Sequence, residues 1–282
     1  MSDSLISIHA KSFSWAGKFL AKQTYENGSN LYDFCRTLDN IADENITLDT
    51  KKQKFNKMKK DFIEKNFENI LIKNIYRIIK KFKISEKVVL DLFDGIESDI
   101  KENIEFKTNK ELLVYSYRVA GTVGLMMAKI LNVNSQNALR SAVDLGIAMQ
   151  LTNIARDVIE DSNRNRKYID HNFIKIKETL HVAELFYKSS FKSINEIPFV
   201  NRFAILVARR VYREIGNQII KKKNLENYNK SGKIFVNRFG KIKQTILSIL
   251  DLIVLLFIKS DDHLTNEKHI EISKEINLNE RF

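Results

Sequence analysis

The sequence predicts an all-α protein. Among 282 residues there is one proline, Pro198, and there are nine glycines. Stretches with helical periodicity run long and are rarely broken, whereas a β-rich chain of this length would need many more turn residues. A hydrophobic content of 44 % supports a sizeable core and excludes a disordered chain.

The elements follow in order. Residues 12 to 21 read as a short helix carrying Phe13, Trp15 and Phe19, and residues 28 to 44 as a helix with an acidic cluster. Residues 51 to 67 form a lysine-rich amphipathic stretch, followed by helices over 68 to 82 and 85 to 103. Residues 109 to 131 read as one long apolar helix containing Gly121 and Gly124, and 135 to 162 as a helix with a second acidic cluster. Helices over 171 to 190, 198 to 224 and 233 to 259 complete the set, and the charged tail from about residue 260 is expected to fray. No repeat and no linker rich in Pro, Gly or Ser divides the chain, so residues 1 to 282 are expected to form a single domain.

The bulk properties narrow the function. The single cysteine, Cys35, excludes an internal disulfide and fits a reducing compartment. The opening Met1 to His9 lacks the basic start and long apolar run of a secretory signal. The most apolar run, Ile246 to Ile258, carries Asp251 and falls short of the roughly 20 residues that span a bilayer. It reads first as a buried core helix, with an interfacial segment as the alternative. The formal charge of +12 is spread widely, with runs at Lys51-Lys52, Lys59-Lys60 and Lys221 to Lys223. Solvated lysine-rich faces explain it first, and attraction to an anionic membrane surface second. Nothing resembles a nucleic-acid motif, so no nucleic-acid partner is expected. The expected location is the cytoplasm, with peripheral contact at the inner face of a membrane left open.

The two acidic clusters carry the chemistry. The first is Asp39 and Asp43, with Arg36 one turn earlier; the second is Asn153, Asp157 and Asp161. Residues four apart share a helix face, so each cluster projects oxygens in one direction. Carboxylates stacked this way repel unless a cation sits among them, and oxygen-only ligands suit a hard cation such as Mg²⁺, with Mn²⁺ an alternative. A diphosphate held through the metal between two facing helices is the natural reading. Removing one repelling carboxylate, as in Asp157→Asn, is then expected to stop turnover with little loss of stability. At about 100° per residue, Gln150, Asn153, Asp157 and Asp161 share one stripe beside the apolar stripe Ile147, Leu151, Ile154 and Val158. Such a helix can wall a greasy cavity, and an ordinary amphipathic surface is the plain alternative. Gly146 lies on the polar side, where a missing side chain leaves room for a ligand. Arg36 and Arg156 can each pair with a neighbouring aspartate or bind a phosphate.

A third feature is the run Tyr115 to Met127, with Ala120, Gly121 and Gly124. Each glycine costs about 1 kcal/mol against alanine in a helix. Something must therefore approach closely: another helix or an isoprenoid chain.

Four segments carry a family resemblance: Ser12-Phe-Ser-Trp-Ala-Gly-Lys-Phe-Leu20, Leu31 to Asp43, Tyr117-Arg-Val-Ala-Gly-Thr-Val-Gly124, and Gln150-Leu-Thr-Asn-Ile-Ala-Arg-Asp-Val-Ile-Glu-Asp161. Looser matches follow at Ala208 to Ile215 and Val236 to Lys243. Over nearly its whole length the chain resembles the squalene/phytoene synthase family. The resemblance implies an all-α isoprenoid synthase fold with helices around a central cavity. It implies Asp39, Asp43, Asn153, Asp157 and Asp161 as Mg²⁺ ligands, the four aspartates being catalytic through the metal. Arg36, Arg238 and Lys241 become diphosphate contacts, and Tyr115, Val119, Gly124 and Gln150 chamber residues. The implied reaction is a Mg²⁺-dependent head-to-head (1′-1) condensation of two prenyl diphosphates through a cyclopropylcarbinyl diphosphate. Proton loss then yields phytoene, whereas reduction by NADPH would yield squalene. The segments look closest to bacterial phytoene synthases, so two geranylgeranyl diphosphates giving phytoene is the favoured reaction, with NADPH not expected. A farnesyl diphosphate-using squalene, presqualene diphosphate or dehydrosqualene synthase is the alternative. A non-catalytic membrane-associated assembly factor would have lost motif carboxylates, and all are present. Asn40 departs from the family, which commonly has aspartate there, but lies about 100° off the Asp39–Asp43 stripe.

Overall fold

The computed structural model describes residues 11–258 and 262–282. The reading of Met1 to His9 lies outside the described residues, as do the side chains of Lys11, Ser12 and Phe13. The chain begins with α1 (Lys11–Gly17), α2 (Lys22–Asp43), α3 (Leu48–Ile63), α4 (Ile70–Phe82) and α5 (Glu86–Glu97). A short strand β1 (Ile104–Glu105) leads into α6 (Asn109–Ser116), a π-helical segment (Tyr117–Gly121) and α7 (Thr122–Ile130). The long α8 (Gln136–Ser162) is followed by β2 (Arg166–Lys167), α9 (Phe173–Ser189), a 3₁₀ turn (Lys192–Glu196) and α10 (Phe199–Ile220). Then come α11 (Leu225–Lys230), α12 (Arg238–Phe257), α13 (Glu267–Ser273) and a closing 3₁₀ turn (Leu278–Glu280).

Local chemistry sets the helix starts. Thr47, Asn69, Ser135, Asn172 and Asn237 each accept a first-turn backbone N–H at the N-cap, and Thr108 forms a full capping box with Glu111. The helices pack around α8, whose neighbours include α7, the π-helical segment, α9 and α10. Both ends of α8 are therefore fixed by packing, and its acidic C-terminal half is held in a set direction.

The structure departs from the sequence reading in several places. Residues 109 to 131 are not one regular helix: Thr122 N–H reaches the Tyr117 carbonyl five residues back, which widens the turn. The expected helix over 85 to 103 stops at Glu97, where Ser98 Oγ donates to the Gly95 carbonyl, and the chain turns into β1. The helix expected to run to residue 224 ends at Ile220, and Lys223 adopts a left-handed backbone with φ 69°.

The tail is the clearest correction. It does not fray over 262 to 282: α13 buries Ile272, Ile276 follows it into the core, and the Arg281 guanidinium forks onto buried Asp91 at 2.9 and 3.0 Å. Its charges suggested a loose end, but the two isoleucines and the bidentate ion pair help to dock it. The first reading of Ile246 to Ile258 as a buried core helix is also overturned. Only Gln244, Ser248 and Leu255 of α12 are buried, and a broad apolar face is exposed.

Candidate active site

A cavity of about 300 Å³ runs between α1, α2, the π-helical segment, α7, α8 and α10. Its walls are mostly apolar, with Leu20, Tyr32, Val123, Met127, Leu145 and Ala208 among them. Polar groups enter it from Asp39 on α2 and from Gln150 and Asn153 on α8. Val119 and Gly124 also line it, so five of the candidate site residues stand on one cavity. The widened π-helical turn is what lays Val119 and Ala120 along the wall.

Gly124 and Gly146 both serve helix packing. A Cβ on Gly124 would overlap the Ala142 carbonyl oxygen, and one on Gly146 would overlap that of Ala120. Helix packing thus accounts for the missing side chain at both, and both also line the cavity.

The acidic clusters meet at the C-terminal ends of α2 and α8. Burial, with the Asp43 and Asp99 charges adding to it against Arg36 and Arg166, pushes the Asp39 carboxyl up to about 7. Burial and then the Asp157 charge push Asp161 up to about 7. Burial is the first cause at both, and at Asp161 the neighbouring carboxylate adds to it. Asp157 differs, because Arg156 forks onto it at 2.8 and 2.5 Å and Lys233 Nζ approaches to 3.5 Å. The strain expected to be relieved at Asp157 is thus located at Asp161. Asn40 is exposed, consistent with its place off the Asp39–Asp43 stripe.

Three residues that the sequence reading missed complete the centre. Arg166 donates to Asp43 at 2.7 Å and to the Ala42 carbonyl at 3.3 Å, and its charge also reaches Asp39, Asp99 and Asp161. The parallel pairing of β1 with β2, Ile104 opposite Arg166, sets its position. Arg164 spans the two helices, donating to Asp43 at 2.9 Å and reaching Glu160 at 3.5 Å. Asp99 accepts from Tyr115 at 2.6 Å and Tyr168 at 2.7 Å, and burial raises its carboxyl above the usual range. Tyr115 is stacked on Tyr168 beneath the acidic centre and is not part of the cavity wall. Arg238 stands exposed at the start of α12, with Lys241 one turn on. From that region the structure brings Lys233 to the carboxylates.

The donor set fits a hard divalent cation. Asn153 Oδ1 is buried with no hydrogen-bond partner among the described residues, and so is Arg36 Nε. An orphaned amide oxygen costs about 1–3 kcal/mol unless something fills its place. With the part-buried carboxylates of Asp39 and Asp161 it offers oxygen donors only, the type a hard cation takes.

A second cluster, Asp144 with His263 and His269, has ligand atoms within 4.8 Å of one another. It does not fit a metal. His269 Nδ1 accepts the Asn266 N–H at 3.0 Å, so the neutral ring carries its proton on Nε2, which faces Asp144 at 3.0 Å. A metal ligand would need that lone pair free and its other nitrogen donating. With Ser189 also donating to Asp144, the cluster is a hydrogen-bonded clip between α8 and the tail.

Helices packed around an apolar chamber, with carboxylates and an orphaned amide at one end, define the all-α isoprenoid synthase class. The comparisons agree. A solved dehydrosqualene synthase superposes with a TM-score of 0.76 at 25 % identity, covering 89 % of this chain and 95 % of that one. A squalene synthase from Alicyclobacillus acidocaldarius shares the fold at 16 % identity, with a TM-score of 0.64 over 79 % of this chain and 92 % of that one. In sequence, a phytoene synthase of Pseudescherichia vulneris is 28 % identical over 243 residues, 74 % of this chain and 78 % of that one. A 15-cis-phytoene synthase of Paracoccus sp. is 36 % identical over 150 residues, 47 % of this chain and 49 % of that one. The family model for squalene/phytoene synthase matches residues 6–172. The chain belongs to the squalene/phytoene synthase family and is a prenyltransferase-type enzyme of isoprenoid biosynthesis.

Proposed function

We propose that the chain is a phytoene synthase that joins two geranylgeranyl diphosphates head to head. One observation carries the reading: Asp39 and Asn153, from the two acidic clusters, stand on the wall of one apolar cavity. The relatives named phytoene synthase support the choice of product.

In this reading Asp39, Asp43, Asn153, Asp157 and Asp161 would hold Mg²⁺. When bound, the metal neutralises diphosphate oxygens and makes diphosphate a better leaving group. Arg36, whose Nε has no partner among the described residues, and the guanidinium of Arg166 meet the departing diphosphate. One substrate loses diphosphate from C1, and the double bond of the other attacks the cation, with loss of a proton, to close a cyclopropane. Loss of the second diphosphate, rearrangement and loss of a proton then give the C40 hydrocarbon. Cations of this kind react with water, so the apolar walls serve to keep it out. No reduction occurs, so NADPH is not required. Substrate and product carry long apolar chains, and the reading includes peripheral contact with a membrane but no nucleic-acid partner.

A farnesyl-using reaction is the second reading, favoured by the likeness to a dehydrosqualene synthase. Purified protein is given Mg²⁺ and either geranylgeranyl or farnesyl diphosphate, with and without NADPH. Extracts go to mass spectrometry. A C40 product without NADPH is expected, and a C30 product alone would overturn the substrate assignment.

A further inference from the structure

The outer face of α12 is unusual for a water-facing helix. At 100° per residue, Phe239, Ile242, Ile246, Ile249, Leu250, Ile253, Val254, Leu256 and Phe257 fall within an arc of roughly 160°. All nine are exposed, with Phe239 at 82 % and Phe257 at 84 %. The opposite side seats the helix on α10: Gln244, Ser248 and Leu255 are buried there, and Asp251 is held by Arg210 at 2.5 and 2.6 Å. An apolar strip of this length is far beyond the scattered exposed residues of an ordinary surface.

We infer that this face of α12 docks the protein on an anionic lipid bilayer, the helix lying in the plane of the interface. The charges decide the occupant. The only acidic residue of α12, Asp251, is on the buried side, so the exposed arc carries no carboxylate. Two cations stand at its N-terminal end, Arg238 on the margin of the arc and Lys243 within it. At its edge Trp15 donates its indole N–H to Thr245 Oγ1 at 3.0 Å, and exposed Lys18 stands 5.4 Å from the Trp15 ring centroid. Asn195 ties the far end of α12 to the segment before α10 by donating to the Ile258 carbonyl at 3.0 Å. A strip of phenylalanine, isoleucine and leucine rimmed by tryptophan, lysine and arginine matches acyl chains below and anionic headgroups around. A second copy of the chain would present the same unbalanced cations, with no carboxylate on the face to meet them. The helix docks without spanning, since among the described residues no helix is long and apolar enough to cross a membrane. Behind it, α10 lines the cavity with Ala204, Ile205 and Ala208, so the docked face backs directly onto the chamber wall.

The inference rests on the part of the proposed function that places apolar substrates in a membrane, and its test reads docking without turnover. Full-length protein is mixed with vesicles of phosphatidylcholine alone or with about one third phosphatidylglycerol, and floated through sucrose. Most of the protein should rise with the anionic vesicles, and several-fold less with the neutral ones or in high salt. Phe239→Glu with Leu250→Glu should lower the floated fraction at least tenfold, and Lys243→Glu should weaken anionic preference. These side chains are exposed, so circular dichroism should be unchanged, and the C40 product assay in detergent micelles should be retained. A wild-type chain that stays at the bottom, or a charge-substituted chain that still floats, overturns the inference. So does a concentration-dependent dimer in the absence of vesicles that the same substitutions disperse. Failure of the micelle product assay with flotation intact would count against the reaction alone.

Discussion

Gly124 on α7 and Gly146 on α8 face each other where the two helices cross, and neither can carry a side chain. A Cβ on Gly146 would stand 2.7 Å from the Ala120 carbonyl carbon and 2.9 Å from the Gly121 Cα; one on Gly124 would stand 3.1 Å from the Ala142 carbonyl carbon. The obstacles are backbone atoms, which cannot swing aside as a side-chain tip would. Gly146→Ala is therefore expected to destabilise by about 1–3 kcal/mol through overpacking, beyond any gain in helix propensity. Gly28→Ala is the contrast, since its Cβ would meet only the mobile end of Met127 at 3.4 Å. That change should be neutral, or stabilising by up to about 1 kcal/mol. Urea midpoints at constant slope measure both. Equal midpoints for the two variants would refute close packing as the reason for Gly146.

Asn153 tests the metal assignment more cleanly than any carboxylate. Its Oδ1 is buried and has no partner among the described residues, so its loss removes no hydrogen bond at that atom. Asn153→Ala is expected to leave stability within about 1 kcal/mol of wild type, since truncating an unsatisfied buried polar group removes its desolvation cost. Turnover should fall at least tenfold at low Mg²⁺, with partial recovery as Mg²⁺ is raised. Product formation titrated against Mg²⁺ reads this. Unchanged Mg²⁺ dependence would remove Asn153 from the ligand set.

Asp161 supplies the complementary case. Its carboxyl is pushed up to about 7 by burial and by Asp157. Asp161→Asn should abolish turnover while holding or raising stability in metal-free buffer at pH 8, measured by thermal unfolding. Asp157→Asn should instead lose stability there, because it strands Arg156, whose side chain is only 17 % exposed. If both variants unfold at the same temperature, the different charge balance of the two aspartates is not real.

The legible parts of this protein were local. An i, i+4 stripe of carboxylates is fixed by helix geometry, so Asp39, Asp43, Asp157 and Asp161 could be grouped from spacing. Arg166 and Asp99 could not, because a two-residue pairing between β1 and β2 and a turn after α5 bring them in. Arg164 and Arg166 do follow Asp161 closely in sequence, and two cations just beyond an acidic motif were a usable signal. Misreading α12 had a different cause. Its apolar content says only that something apolar covers it, whereas the Arg210–Asp251 pair, 41 residues apart, decides which side faces inward. The tail was judged by its charges, while the Ile272 and Ile276 spacing and the Asn266 cap already marked a docked helix.

The Arg281–Asp91 pair should anchor that tail. Arg281 forks onto an aspartate that is 5 % exposed and that also accepts from Tyr117, the first residue of the π-helical segment. Arg281→Ala leaves a buried carboxylate short of its cation and should cost about 3–5 kcal/mol. Replacing both partners, Asp91→Asn with Arg281→Met, should cost less than the single change. The pair of urea midpoints gives the comparison. A double variant no more stable than Arg281→Ala would mean that lost packing matters, and not the stranded charge.

The clip at Asp144 predicts how the protein responds to acid. Burial alone would push this carboxyl up, but the hydrogen bonds it accepts from His263 and His269 outweigh it and hold the carboxyl below its usual range. A carboxyl depressed in the folded state adds stability above its unfolded value of about 3.9, and loses it as pH falls through the lower folded value. Wild type should therefore keep its margin over Asp144→Asn from neutral pH down to about 4 and lose it progressively below that. Hydrogen exchange of amides within 262–282 localises the effect, because His263 and His269 both belong to the tail. Asp144→Asn at pH 7 should speed exchange there while leaving α2 to α5 protected. A margin that grew as pH fell from 4 to 3 would carry the wrong sign for a depressed carboxyl and would refute the clip.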